Sequence, residues 1–381
     1  MYEKYILQDQ IALQVIEEAL LKTYFAEYDQ EFLQSEQGRQ DIKANVSARY
    51  NNSLKHVVPW VLDVVDLDNK EIVEIGCGTG SSTAAFAHFA KKIHGYDISK
   101  SCIEAAEKRC RLLNLSNVNF ELVTPDLLIS QLENKHPHGV DVFLLFAVLE
   151  HQTVYERQDT LRACWRLLKD DGIIVVVETP NLLQYTDHHT SLLPFLHMLP
   201  SELYAQYAKY SPRLRFNQVF ENTTLNHSEI SEVITRWGRG ISYHDFEIAL
   251  GRDYKKYIVR QGFEPEILSW FNVSFEEELL RLYVQSKNLD IPLGFTRSVI
   301  NLILKKNNVS HAPGARIPDH VFFVQKADLL NCQTQLKSLN ALYEDCNKTL
   351  QEIVSSKSWR IGRFITAPYR KMKMIVSKLC G

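Results

Sequence analysis

The sequence predicts an α/β fold built on a mostly parallel sheet with helices over both faces. Between Glu71 and Glu178, five short apolar runs (EIVEI, IHGYDI, VNFELV, VDVFLLF and IIVVVET) alternate with amphipathic stretches such as 99–113 and 158–168. Strands separated by helices of that length imply crossover connections, which cover both faces of a parallel sheet. A glycine-rich segment, Gly76-Cys77-Gly78-Thr79-Gly80, stands where the first strand ends and a helix begins. The composition agrees: 45% of the 381 residues are hydrophobic and 23% charged, enough to bury a sizeable core.

Taken in order, residues 1–58 read as a helical N-terminal cap, because Ile11, Leu13, Ile16, Ala19 and Leu20 recur at helical spacing. Residues 59–328 form the α/β domain. It carries insertions at about 181–262 and 271–318, the first too long for a simple connection and too aromatic for a disordered one. A last strand pair is predicted at FEPEILSW and HVFFVQKA. In 329–356, Leu329, Cys332, Leu336, Leu339, Tyr343, Cys346, Leu350 and Ile353 step by alternating threes and fours, the a/d seam of a coiled coil and of a homo-oligomer. Residues 357–381 are basic, with no Asp or Glu, and interleave Trp359, Phe364 and Tyr369, which predicts contact with an anionic membrane surface.

The charge balance, Lys+Arg 43 against Asp+Glu 46, argues against nucleic acid as a partner. No run approaches the roughly 18 apolar residues of a membrane span, and the first residues lack a signal peptide's pattern. Seven cysteines without CxxC spacing read as reduced thiols. The expected location is the cytoplasm, peripheral to the inner face of the cell membrane.

The glycine segment has the spacing GxGxG with Glu74 two residues ahead, and Ser81 stands where a dinucleotide fingerprint needs its third glycine. No P-loop lysine follows. The second strand ends in Asp97, Asp126 follows the third, and Glu150-His151 follow the fourth, all at the carboxyl edge where open α/β sheets bind ligands.

Together, Glu74–Gly80, Asp97, Asp126, Leu149-Glu150-His151, Leu168–Gly172 and Glu178–Asn181 resemble a class I S-adenosylmethionine-dependent methyltransferase. The resemblance covers about 58–181 and implies a Rossmann-like sheet closed by an antiparallel hairpin. It implies that Gly76, Cys77, Gly78, Thr79 and Gly80 line the methionine part of the cofactor, with Glu74 holding its amino group directly or through water. Asp97 would bind the ribose and Asp126 would lie near the adenine. The Asn/Asp-Pro-Pro-aromatic run of base-amine methyltransferases is absent, and the segment reads Phe146-Ala147-Val148-Leu149 instead. Ubiquinone-type O-methyltransferases share the Leu-Glu-His run, but Ala147 replaces their acidic residue three before the Glu, so no metal is expected on that pattern; Asp187, His188 and His189 would need a ligand from elsewhere to hold one.

The insertion, with Tyr185–Ser191 and Gly238–His244, is similar to methyltransferases of bacterial surface-polysaccharide biosynthesis, and the 356–370 stretch resembles a tail of that pathway's glycosyltransferases. The implied acceptor is a sugar hydroxyl of a surface glycan or of its lipid- or nucleotide-linked precursor. Such a hydroxyl needs a general base. His189, oriented by Asp187, and His151 at the neighbouring strand end are the candidates, with His188 or His244 as substitutes. Arg213, Arg215, Arg236 and Arg239 could meet a phosphate-bearing acceptor. The alternatives are a quinone-like small-molecule O-methyltransferase and a non-enzymatic scaffold of the same fold.

Overall fold

Each apolar run of the first half becomes a strand, and the central ones are buried on both faces, while the edge strand Val118–Leu122 is half-exposed. In the computed structural model, which describes residues 2–221, 226–307 and 326–356, the parallel strands are β1 (Glu71–Ile75), β2 (Lys92–Asp97), β3 (Val118–Leu122), β4 (Val140–Phe146) and β5 (Leu168–Pro180). Two more, β6 (Ile258–Arg260) and β7 (Val299–Lys305), complete a seven-stranded sheet of order β3-β2-β1-β4-β5-β7-β6. β7 runs antiparallel to β5 and to β6. This is the expected Rossmann-like sheet with its antiparallel hairpin. The strand order reverses between β1 and β4, and the crevice at their carboxyl ends is where such sheets take ligands.

The last strand pair is a correction. Residues 263–270, predicted as a strand, hold a helical turn at Pro265–Leu268. Pro265 at its first position has no N–H to give a ladder and is preset for a helix start. The strands are instead the three residues of β6 and the buried run of β7. The first insertion therefore ends before Ile258, not at 262. The other predicted strand, 320–327, lies largely outside the described residues.

The helices are α1 (Gln10–Leu21), a continuous helical run α2 (36–62), α3 (Ser81–Ala87), α4 (Lys100–Leu112), α5 (Pro125–Lys135) and α6 (Val154–Leu167). In the first insertion lie α7 (Ser201–Ala208), α8 (Leu214–Glu221), α9 (His227–Trp237) and α10 (Tyr243–Leu250); α11 (Phe275–Ser286) follows in the second. Because successive strand side chains alternate, Val73, Phe143 and Ile174 meet α5, α6 and α10, while Ile72, Leu144 and Val175 meet α2, α3 and α4. The first insertion has its own small core of Leu196, Tyr204, Phe216 and Ile234. α2 contains two π-turns, Ala44–Ala48 and Ser53–Val57, on either side of Arg49–Asn52. Buried Arg109 of α4 clamps the first of them, giving hydrogen bonds to the carbonyls of Val46 and Asn45 and to that of Thr79.

α12 (Lys326–Ser355) belongs to a second unit and is described by itself. Its Leu336, Leu339, Tyr343, Leu350 and Ile353, all at expected seam positions, are exposed. Among the described residues no helix is long and apolar enough to cross a membrane.

Candidate active site

The loop after β1 turns back on itself because Gly76 and Cys77 both donate their N–H groups to the Tyr96 carbonyl, at 2.8 and 3.0 Å. Two of its glycines are required for different reasons. A Cβ on Gly76 would lie 2.4 Å from the Val148 side chain, so this glycine lets the β4 end pack against the loop. Gly78 has φ +50° and nothing within 4 Å of where a Cβ would stand. The space beside it is cavity, left open for a ligand to approach the backbone. Gly80 backs onto Ala106 and is not on the cavity wall.

The cavity has a volume of about 900 Å3, room for a nucleoside-sized ligand together with an acceptor. Gly76, Cys77, Gly78, Thr79, Asp97 and Asp126 line it at one end. Asp97 accepts from Gly78 N through Oδ2 and from Ser99 N through Oδ1, each at 2.8 Å. It thus fixes the loop and faces the cavity at once, and burial raises its pKa.

Glu74 is placed otherwise than expected. It is fully buried, off the cavity wall, and accepts hydrogen bonds from the Ser82 and Thr83 hydroxyls of α3. Strand alternation sends it to the α2–α3 face of the sheet, so it ties β1 to the start of α3 and supports the loop from behind. Burial pushes its carboxyl up to about 7. A raised folded-state pKa means stability that is present at acid pH and lost as pH rises through about 7. Glu74→Gln should therefore gain stability relative to wild type as pH rises from about 5 to about 8, by up to the order of 3 kcal/mol; parallel melts of wild type and variant across this range check it.

At the other end of the cavity stand His151, on the turn after β4, and His189, in the first insertion, with ring centroids 5.6 Å apart. His151 Nδ1 bonds the Arg236 carbonyl at 2.9 Å, and a carbonyl only accepts, so Nδ1 carries the proton. His189 Nδ1 bonds Thr190 Oγ1 at 2.9 Å, and that hydroxyl donates to the Trp237 and Gly238 carbonyls. Its lone pair must accept from Nδ1–H. Both imidazoles therefore present an unprotonated Nε2. Burial, then His151, push His189 down to about 4, and burial lowers His151 as well.

The histidine partner expected from sequence is corrected. Asp187 does not touch the His189 ring; it is buried and accepts from the backbone N–H groups of residues 189, 190 and 191, with His197 3.7 Å away. It shapes the turn, and Thr190 orients the imidazole. His188 is exposed and bonds Glu276 at 3.3 Å, while His244 bonds Ser242 and stacks on Tyr243. Neither lines the cavity. Of the four arginines, only Arg236 does, and both its terminal nitrogens bond Glu156. Arg213 donates to the His189 carbonyl, Arg215 covers Tyr28 and Phe32, and Arg239 lies over Tyr204.

Among the cavity residues that carried no assigned role in the sequence, two charged ones bear on the chemistry. Arg49 enters from between the π-turns of α2, and no carboxylate among the described residues pairs with it. π-turns recur at functional sites because they re-aim a helical side chain. Glu178 enters from β5, where the register with β7 shifts between Val176 and Thr179. It has φ +55°, and Ala147, at the neighbouring end of β4, has φ +43°. These non-glycine residues in the left-handed region are held by Glu178 N–H to Asn301 Oδ1 at 3.1 Å and Ala147 N–H to the Val177 carbonyl at 2.9 Å.

Comparison with known proteins finds methyltransferases. Residues 73–174 match the methyltransferase-domain family. The chain is 29% identical over 134 residues to ribosomal RNA small subunit methyltransferase A of Mesomycoplasma hyopneumoniae, covering 33% of this chain and 49% of the relative. It is 28% identical over 115 residues to ubiquinone biosynthesis O-methyltransferase of Pseudomonas fluorescens, covering 30% and 47%. The chain thus spans about half the length of the curated relatives it matches. Among solved structures, magnesium protoporphyrin IX methyltransferase from Synechocystis PCC 6803 aligns with a TM-score of 0.32 and 20% identity over 45% of this chain and 74% of that one. The RNA methyltransferase among the relatives gives no support to the expected exclusion of nucleic acid.

Proposed function

We propose that this chain is an S-adenosylmethionine-dependent O-methyltransferase whose acceptor is a sugar hydroxyl of a surface glycan or of its lipid- or nucleotide-linked precursor. The observation that carries the methyltransferase reading is one continuous cavity with an open glycine and two carboxylates at one end and two unprotonated imidazole nitrogens at the other. The donor set suits this cofactor: carboxylates Asp97 and Asp126 for ribose and adenine, no phosphate-binding lysine, and unpaired Arg49 for the methionine carboxylate. When bound, the cofactor supplies an electrophilic methyl group on sulfur. The residues of the chain orient the acceptor and take its hydroxyl proton at an imidazole Nε2, a step worth about 10²–10⁴-fold.

The glycan acceptor is supported by the sequence of the insertion that brings His189 to the cavity. A small quinone-like acceptor is the second reading, favoured by the likeness to the ubiquinone enzyme. Labelled cofactor incubated with full-length protein and fractionated cell extract tests both. Label in lipid-linked glycan or nucleotide sugar supports the first, label in the quinone fraction supports the second, and label only in RNA overturns both.

The exposed seam of α12 supports pairing with a second copy of this chain. The basic 357–381 segment, which lies outside the described residues, supports attachment to anionic membrane, strengthened by avidity in the oligomer. Full-length protein should pellet with anionic vesicles at low salt and release as salt rises, while a chain ending at Ser356 stays in solution. Equal pelleting of both would overturn the attachment.

A further inference from the structure

We propose that Glu150, His151 and His189 form a binding site for one divalent transition-metal ion of the zinc class at the acceptor end of the cavity. The geometry carries this by itself; only the ion's role in methyl transfer rests on the function proposed above.

Glu150 is fully buried on the turn after β4, and neither carboxylate oxygen has a hydrogen-bond partner. A buried carboxylate left this way is costly unless something positive completes it. The nearest ring nitrogens are His151 Nε2 at 3.8 Å and His189 Nε2 at 3.9 Å from Oε1, and donor atoms of all three residues lie within 4.8 Å of one another. Neither nitrogen brings a proton, because the Arg236 carbonyl and the Thr190 hydroxyl fix both Nδ1 atoms as donors. Two unprotonated nitrogens and an unpartnered carboxylate thus stand within 4.8 Å of one another. Metal-bound histidines show the same arrangement, with Nδ1–H anchored on an oxygen and Nε2 turned to the ion.

Two further observations fit. A Cβ on Gly238 would lie 2.9 Å from His189 Cε1 and 3.1 Å from His151 Cε1, so this glycine seats both rings side by side. The separations of 3.8 and 3.9 Å exceed by a few tenths the roughly 3.4 Å between ligand atoms around a tetrahedral ion with bonds of about 2.0–2.1 Å. Sequence spacing points away from the site, since Ala147 offers no ligand; the fold supplies the third one from the insertion after β5.

Two imidazoles and one carboxylate select zinc-like ions over magnesium or calcium and leave coordination positions free. Of the three residues, His151 and His189 line the cavity. With an ion bound, His151 and His189 would serve as its ligands, and the ion would supply Lewis-acid chemistry at the acceptor oxygen, lowering the cost of losing its proton; without it, an imidazole Nε2 takes the proton as proposed above. The acceptor oxygen then bonds the methyl carbon as the S–C bond breaks, and sulfur keeps the electron pair.

The test uses full-length, tag-free protein stripped with chelator and titrated with Zn2+ by calorimetry and with Co2+ by absorbance, alongside Glu150→Gln and His189→Gln. The expected result is one ion per chain, a Co2+ spectrum without thiolate charge-transfer bands, and affinity lower by at least about 100-fold in each variant. Melts without metal establish that the variants fold, and cofactor titrations on the same samples report separately on the methyltransferase reading. No stoichiometric binding, a thiolate spectrum, or equal affinity in wild type and both folded variants would overturn the site.

Discussion

Gly78→Ala is expected to lower cofactor affinity by at least about 100-fold, about 2.7 kcal/mol, while the protein still folds. The methyl group would enter the cavity and touch no protein atom, at the modest cost of about 1–2 kcal/mol for a left-handed alanine. Gly76→Ala, two residues earlier, should do the opposite. Its Cβ would meet Val148 at 2.4 Å, displacing the β4 end and costing about 2–4 kcal/mol of stability. Calorimetric titration and thermal melts on the two variants separate the roles. Undiminished affinity in folded Gly78→Ala would remove the cofactor from this end of the cavity.

The second large effect is expected at the imidazoles. His189→Ala and His151→Ala should each reduce turnover by about 10²–10⁴-fold and leave cofactor affinity nearly unchanged. The double variant should lose little more than the worse single one, since both rings serve one step. The pH dependence has a definite sign. Burial favours neutral His189, and the neutral form is the competent one, so turnover should persist as pH falls through the ordinary histidine range and fail only towards about 4. A limb at about 6.5 would show instead that a solvent-exposed imidazole controls the rate. Full activity in both single variants would leave catalysis to positioning alone.

The first five strands and the glycine loop were legible because each rests on a local rule. Central buried strands read as apolar runs, the half-exposed edge strand β3 as apolar residues among polar ones, and a sharp strand-to-helix turn needs glycine. Asp97 was legible for the same reason, being the last residue of a recognisable strand. The closing hairpin was not: β6 is three residues long, and β7 carries Asn301, whose side chain is used to hold Glu178 N–H. Asp187 was misread because adjacency to His189 in sequence says nothing about where a carboxylate points, and here three backbone N–H groups claim it. Arg49 left no signal, since only a change of helical register turns it inward. Glu150 stood visibly at the right edge of the sheet, but its missing hydrogen-bond partners exist only in three dimensions.

The backbone at Ala147 and Glu178 bears on any effort to make this protein hardier. Glycine at either position would release left-handed strain of about 1–2 kcal/mol, against about 0.5–1 kcal/mol for the extra freedom of the unfolded chain. At 178 it would also remove a carboxyl that burial already drives towards its neutral form. A selection that rewards heat resistance alone would therefore favour glycine at 178 and, with it, the loss of an acidic side chain from the cavity. Variants recovered that way should be robust and impaired together, so survival after heating is a poor proxy for fitness in this enzyme unless turnover is scored in the same wells.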